Sequence, residues 1–223
     1  MRELYALGVR DPSEVARRIV AALAPDVVTQ MAGPGVATCV DTLLHAATVG
    51  SDAIAAGSGL PTGHSTAATI RAVAERRTAT AGRASRFSDI ALDALGACAA
   101  ELLMPARARG SLPPAGPRLL GSFMAGDMER CFRYFVSRDI SEFVGLPALP
   151  DVAAAEAAVD RIAGRCRAVM SAIDYAAVEP SLPQYTELDG EAGERRVQQL
   201  LSPLECMVHT GLEAIATGRP QRP

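Results

Sequence analysis

The chain has 223 residues, of which 49% are hydrophobic and 21% are charged, a composition that excludes an intrinsically disordered protein. The formal net charge of −3 excludes a strong positive field of the kind that attracts nucleic acid or anionic membranes. The length predicts a single helical domain, 1–223. The alternative is a subdivision into halves 1–104 and 119–223, separated by the proline- and glycine-rich segment 105–118.

All 22 basic residues are arginine, and the chain contains neither lysine nor asparagine. Codon usage in a GC-rich bacterial genome explains both absences, and selection against lysine modification is the alternative explanation. The first ten residues are polar and mixed, so we expect no signal peptide. The five cysteines are widely spaced and form no C-x-x-C motif, which predicts reduced, buried thiols in a cytoplasmic protein. No apolar run approaches the ~20 residues of a membrane span, so no membrane association is expected.

Helix signals dominate the first half of the chain. The first ten residues contain a candidate short strand or irregular arm at 3–9. Asp11-Pro12-Ser13-Glu14 combines an N-cap, a proline at the first helical position and a capping-box glutamate, which predicts a helix that Pro25 ends. Apolar residues at helical spacing predict further helices at 36–49, 65–78 and 88–104. The glycine-rich stretch 50–64 between them predicts a loop.

The second half begins with segment 106–118, whose prolines and glycines predict an irregular loop. A helix follows at 119–144, with Gly126-Asp127 as a candidate interruption. It carries most of the aromatic rings of the chain and two methionines, among them Phe123, Met124, Phe132 and Phe135. These side chains predict a central core helix. The alternative is a lipophilic ligand pocket lined by the same side chains, since such pockets form between bundled helices.

The clearest periodicity lies at 152–173, where apolar residues recur at alternating steps of three and four over three heptads: Val152, Ala155, Val159, Ile162, Cys166, Val169 and Ile173. Such a seam packs against another helix, and we expect Ile162, at its middle, to be buried. After a polar turn, a final helix carries a stripe from Val197 to Ile215, with Pro203 as a predicted kink and Gly218 as its end. No segment shows the two-residue period of a strand. The prediction is therefore an all-α bundle of about six to seven helices with the proline- and glycine-rich loop in its middle.

Charge is unevenly distributed along the chain. Segment 71–118 contains eight arginines and four acidic residues, whereas segment 151–194 contains nine acidic residues and three arginines. Arg76 and Arg77 belong to the basic segment, and we interpret them as solvated surface or contacts to a protein partner. Nucleic acid is disfavoured because no aromatic residues are interleaved with the arginines and no basic recognition helix appears. An electrostatic match between the two segments, within or between chains, is the functional alternative.

The stretch from Gly57 to Thr66 resembles two catalytic or binding motifs. Its glycines are similar to a phosphate-binding P-loop, but His64 stands where that loop needs lysine. Gly63-His64-Ser65-Thr66-Ala67 resembles the nucleophile elbow of the α/β-hydrolases, which implies Ser65 as nucleophile and His209 as its base. The structural alternative is a turn that leads to Ser65 as a helix N-cap.

Metal ligands are scarce. Glu205 or Cys206 could share a cation with His209, but two ligands do not make a zinc site, and we expect no metal or other cofactor. We expect instead that Cys206 is partly buried and that Glu205 and His209 form a local ion pair or hydrogen bond.

Three classes of function follow from these patterns. The heptad seam, the charge asymmetry and the shortage of catalytic groups favour a non-catalytic protein–protein interaction or oligomerising subunit of a larger bacterial assembly. A small serine hydrolase centred on Ser65 and a helical ligand-binding or regulatory domain with an aromatic-lined pocket are the alternatives.

Overall fold

A computed structural model describes residues 12–59, 65–110, 116–147, 149–173, 175 and 190–217 of this protein, and most of these residues are helical. These described residues contain no β-strand, only an isolated bridge between Leu146 and Leu149. The all-α prediction is confirmed. The predicted arm at 3–9, the cap Asp11 and the helix end at Gly218 lie outside the described residues.

The helices of the described residues are numbered in chain order. They are α1 Pro12–Ala22, α2 Pro25–Met31, α3 Pro34–Val49, α4 Ser51–Gly57, α5 Thr66–Thr80, α6 Arg86–Cys98, a π-helical segment Ala99–Leu103, α7 Met104–Ala108, α8 Gly116–Ile140, a 3-10 turn Ser141–Phe143, α9 Val152–Ser171 and α10 Gly190–Thr217.

Helix α3 lies at the centre of the fold. Every residue from Gly35 to Ala46 is buried, and the helix packs against α4, α5, α6, α8 and α10. A helix that is apolar on all sides belongs in the interior, and the valines, leucines and alanines of α3 fit that position. The same helix nevertheless carries buried polar side chains, which are the starting point of the candidate site.

Helix α9 packs along α8 and carries the predicted seam. Asp151 caps its first turn by accepting a hydrogen bond from the Ala154 N–H at 2.8 Å. Ile162 is 2% exposed, whereas Val152, the first seam residue, is 63% exposed because it lies at the helix start. The seam is therefore part of the internal core.

One hydrophobic core draws on helices from both halves of the chain. Helix α6 packs against α8, and the C-terminal helix α10 packs against α1, α2 and α3. The segment between the halves is shorter than predicted. Helix α7 continues to Ala108 and α8 begins at Gly116, so only 109–115 lies between them, and the expectation of an irregular loop over 106–118 is wrong at both ends.

The helix that begins as α6 does not end before Pro105: the backbone stays helical through the π-helical segment and α7, and Met104 has φ −62° and ψ −47°. The predicted interruption at Gly126-Asp127 is also wrong, since α8 runs through it. Helix α10 likewise continues past Pro203.

Two short helices replace segments that the sequence predicted as connections. Pro25 ends α1 as predicted, but it also begins α2, because proline fits the first helical position. Helix α4 occupies the first part of the predicted loop 50–64. Gly50 separates it from α3 with a positive φ of 90°, which glycine adopts without strain.

No single helix in the described part of the chain has both the length and the hydropathy needed to cross a bilayer. Ser13–Ala22 and Pro25–Val49, bent by 107°, pass that test only as a pair.

Candidate functional site

A buried carboxylate organises one face of α3. Asp41 is fully buried, and its two carboxylate oxygens accept hydrogen bonds from two arginines on different helices. Arg77 of α5 donates from Nη2 to Oδ2 at 2.8 Å, and Arg196 of α10 donates from Nε to Oδ1 at 3.0 Å. These two ion pairs tie α5 and α10 to the central helix.

Two threonines on the same face of α3 complete this network. The Thr42 hydroxyl accepts a hydrogen bond from Arg77 Nη1 at 2.7 Å and donates to the Thr38 carbonyl at 2.8 Å. The Thr38 hydroxyl accepts from Arg83 Nη1 at 3.0 Å and donates to the Pro34 carbonyl at 2.8 Å. Each hydroxyl therefore serves as donor and acceptor at once, which satisfies a buried polar group without cost to the helix.

Arg83 extends the network to the beginning of α10. Its guanidinium pairs with the Glu194 carboxylate through Nη2, while Nη1 holds Thr38. The Arg83 side chain is only 12% exposed, although it belongs to the loop between α5 and α6. Its position is thus fixed from two sides, by α3 and by α10.

An open cleft of about 450 Å³ lies along this network. Three arginines line it, Arg76 and Arg77 near the end of α5 and Arg83 in the following loop. The remaining lining comes from the end of α4, the end of α5 and the first turn of α10: Gly57, Ser58, Thr80, Ala81, Gly190, Gly193 and Glu194. We call this cavity the arginine cleft, and its volume is in the range of small-molecule sites.

The end of α4 supplies the wall opposite the arginines. Arg76 Nη1 donates to the Ser58 carbonyl at 2.6 Å, which holds α4 against α5. The Ser58 hydroxyl is shielded from solvent and has no hydrogen-bond partner among the residues that the structure describes. The start of the glycine-rich stretch that resembles a P-loop therefore lies in the cleft, while 60–64 of that stretch lie outside the described residues.

The charges around the cleft do not cancel. Of the described residues that line the cleft, three are arginines and one, Glu194, is acidic. Arg77 is also paired with the buried Asp41, and Glu191 lies in the first turn of α10, three positions before Glu194. The described lining residues therefore carry more positive than negative charge. The first turn of α10 adds backbone N–H groups at the positive end of a 28-residue helix, and two glycines there place no side chain over them.

A second buried carboxyl group lies elsewhere, on α8. Asp127 is buried, and its Oδ1 has no hydrogen-bond partner in the described part of the chain. Burial raises the pKa of Asp127 from 3.8 to about 7, and the charge of Arg130 lowers it in part. The charge of Asp127 also adds to the effect of burial in raising the pKa values of the Cys39 and Cys131 thiols.

A third polar region lies beside the π-helical segment. A cavity of about 400 Å³ there is lined by Glu101, Arg118 and Arg167 among others. Arg167 pairs with Glu101 at 3.3 Å and with Glu129 at 2.9 Å. The two arginines, Arg118 and Arg167, are equal in number to the two carboxylates, Glu101 and Glu129, so these four residues together carry no positive excess.

The aromatic side chains of α8 are core residues. Phe123, Met124 and Phe132 are fully buried, and Phe135 is 9% exposed and packs its ring near Phe87 and Tyr134. None of them lines the arginine cleft or the cavity beside the π-helical segment. The prediction of a central core helix agrees with the structure, and the aromatic-lined pocket stays a prediction.

Ser65 acts as a helix cap. Its hydroxyl accepts a hydrogen bond from the Ala68 N–H at 3.3 Å at the start of α5, as the structural alternative predicted. His209 lies exposed on α10, and no hydrogen bond joins it to Ser65 among the described residues. The nucleophile elbow also needs a strand before its serine, and the described residues contain no strand.

The charge segments meet within the chain. Arg83 of the basic segment pairs with Glu194 of the acidic one, and Arg167 pairs with Glu101 in the reverse sense. Arg77 is 9% exposed, so its interpretation as solvated surface is wrong, whereas Arg76 is exposed. The seam and part of the charge asymmetry are therefore accounted for inside one chain, and the interaction-subunit hypothesis stays a prediction.

The cysteines divide into two groups. Cys39, Cys98, Cys131 and Cys166 are buried, as predicted, and burial raises the pKa of Cys98 to about 11 and that of Cys166 to about 12. Cys206 is exposed, so the expectation of a partly buried thiol there is wrong. Among the described residues, no three His, Cys, Asp or Glu side chains are grouped so that they could hold a metal ion.

Sequence reasoning missed Asp41 and Arg196. Asp41 is the only charged residue of α3, set between apolar neighbours, and such a position signals a buried ion pair. Its partner could not be found the same way, because Arg196 follows another arginine at the start of an ordinary amphipathic helix.

Comparison of the chain with protein-family models, with curated proteins and with solved structures finds no match.

Proposed function

We propose that this protein is a helical ligand-binding domain that binds a small oxyanion of the phosphate type in the arginine cleft. The observation that carries the proposal is the positive excess at an open cavity lined by Arg76, Arg77 and Arg83. Guanidinium groups present paired N–H donors that match the oxygens of phosphate and carboxylate groups, so they are well suited to such ligands.

The positioning of the arginines supports binding. Arg77 and Arg83 are held by Asp41, Thr42, Thr38 and Glu194, so their guanidinium groups are fixed before a ligand arrives. A preorganised site loses less conformational entropy on binding than a flexible one. The first turn of α10, with Gly190 and Gly193 in the cleft lining, offers further backbone N–H donors at the same cleft.

Arg76 is the best residue for a test because it is exposed, and the contact described for it is to a single carbonyl. Replacing Arg77 or Arg83 would disturb the buried network as well. We expect Arg76→Gln to weaken the binding of inorganic phosphate about tenfold, as loss of a charge-assisted hydrogen bond does. Isothermal titration calorimetry of the full chain measures this.

Arg71→Gln is the matched control. Arg71 lies on the same helix, is exposed, and pairs with Asp93 away from the cleft. Arg71→Gln removes the same charge as Arg76→Gln. The phosphate affinity of this control variant should nevertheless stay within about twofold of the wild type, since exposed charges at a distance are screened. Equal losses in both variants, or no phosphate binding by the wild type, would overturn the proposal.

A further inference from the structure

A second cavity lies beside the arginine cleft along α10, and we call the two cavities together the groove. The second cavity also measures about 450 Å³, and Arg83 lines both cavities. Glu194 of α10 lines the arginine cleft, and Leu201 and Glu205 of the same helix line the second cavity. These residues are seven and four positions apart, so they share one helix face, and they span roughly 16 Å from end to end.

The two cavities differ in character. The arginine cleft carries the positive excess, whereas the middle of the second cavity is lined by uncharged groups, among them Ala32, Gly33, Ala84 and Leu201. The far end is lined by Glu205, whose side chain is exposed. Along α10 the groove therefore runs from positive, through uncharged and largely apolar, to negative.

We infer that the ligand is an elongated organic anion with one negatively charged head group and an uncharged, largely apolar body. This inference rests on the proposed function, because the head group occupies the arginine cleft. The body lies past Arg83 against Leu201 and Ala84, where its burial removes apolar surface from water. A second negative group at the far end is disfavoured by the Glu205 carboxylate.

The charge pattern also distinguishes this ligand from a polyanion. A polyphosphate or an acidic peptide would place further negative charge along the uncharged stretch and beside Glu205. One anionic end is matched by the cleft, and a body of about 10 Å reaches from Glu194 to Leu201 along the helix.

Three probes test the inference by calorimetry on the full chain: inorganic phosphate, hexyl phosphate and hexane-1,6-diol bisphosphate. We expect hexyl phosphate to bind at least tenfold more tightly than inorganic phosphate, because its alkyl chain is buried in the second cavity. The bisphosphate should bind more weakly than hexyl phosphate, because its second phosphate lies near Glu205. Heptanoate, which has the same six-carbon alkyl chain and a carboxylate head, distinguishes a phosphate from a carboxylate ligand.

A variant in the second cavity locates the alkyl chain. Ala84 is an exposed loop residue that lines this cavity, and Ala84→Gln introduces an uncharged polar side chain there. It should reduce the ratio of hexyl phosphate to inorganic phosphate affinity at least threefold, with inorganic phosphate unchanged. Ala97→Gln, at an exposed position of α6 that lines none of the described cavities, should leave the ratio unchanged.

The outcomes separate the two proposals. If inorganic phosphate binds and depends on Arg76, but hexyl phosphate binds no better, the elongated ligand is wrong and the oxyanion site stands. If hexyl phosphate gains affinity but Ala84→Gln leaves the ratio unchanged, the chain lies elsewhere and the inference is overturned. If no probe binds, the proposed function itself fails.

Discussion

Two aspartates buried in the same core, Asp41 on α3 and Asp127 on α8, have opposite surroundings. Asp41 is held by two guanidinium groups, one on each carboxylate oxygen. Asp127 has an oxygen without a hydrogen-bond partner among the described residues, and its pKa rises to about 7. Both carboxyl groups are buried, so the difference between their surroundings lies in the donors that reach each one. The first aspartate organises a site, and the second is a source of pH dependence.

The largest expected effect is the loss of Asp41. Asp41→Asn leaves two buried arginines without their counter-ion, and breaking such a network costs about 3–5 kcal/mol of unfolding free energy. Urea unfolding followed by circular dichroism measures this. Asp93→Asn removes an exposed aspartate paired with Arg71 and should cost less than about 1 kcal/mol. Equal costs for the two variants would show that Asp41 is not a central ion-pair partner.

The next effect concerns Asp127 and depends on pH. The folded-state pKa lies above the usual value, so the folded protein holds the proton more tightly than the unfolded chain does. The contribution of Asp127 to the unfolding free energy is fully present below about pH 4 and is lost as the pH rises to about 7. The loss over this range amounts to about 4 kcal/mol.

Asp127→Asn cannot ionise, so its stability relative to the wild type should increase across that pH range and level off above it. The difference between the two unfolding free energies, measured from pH 4 to pH 8, isolates this group from all other titrations. A difference that does not change with pH would contradict the raised pKa.

The loss of unfolding free energy at an apolar core residue, Ile162, serves as a reference for the losses at the two aspartates. Ile162→Ala removes most of a side chain that is almost fully buried between α9 and α8, which costs about 2–4 kcal/mol. This cost should not vary with pH, in contrast to that of Asp127→Asn. Thermal and urea unfolding at pH 5 and pH 8 check both statements, and a cost below about 1 kcal/mol would mean that the seam is loosely packed.

The smallest expected loss of unfolding free energy comes from removing a hydroxyl group beside Asp41. Thr42→Val removes the acceptor for Arg77 while keeping a branched side chain, and it should cost about 1–2 kcal/mol. Thr48→Val is the control, because the Thr48 hydroxyl donates only to the Leu44 carbonyl of its own helix. If both variants cost the same, the Arg77–Thr42 hydrogen bond contributes nothing measurable.

The sequence predicted the parts of this fold that depend on local periodicity. The seam at 152–173, the cap Ser65 and the final helix follow from spacing and capping alone, and the structure has them where they were expected. The short helices α2 and α4 were missed, because seven residues carry too little periodicity to outweigh the prolines and glycines around them.

The candidate site depends on contacts between residues far apart in the chain. Arg76 and Arg77 were recognised as a basic pair, but their roles differ because Arg77 points to Asp41, 36 positions earlier, and Arg76 to Ser58. Arg196 reaches Asp41 across 155 positions. No local pattern specifies such pairings, so the arginine cleft emerges only from the packing of α4, α5 and α10.

The single exposed thiol gives this protein a spectroscopic reporter. Cys206 lies on α10, the helix whose first turn borders the arginine cleft, and it directly follows Glu205 of the second cavity. The four other thiols are buried, so a thiol-reactive fluorophore should attach to the native chain at this one position. Emission from that fluorophore then follows occupancy of the groove in solution, without any substitution in the chain.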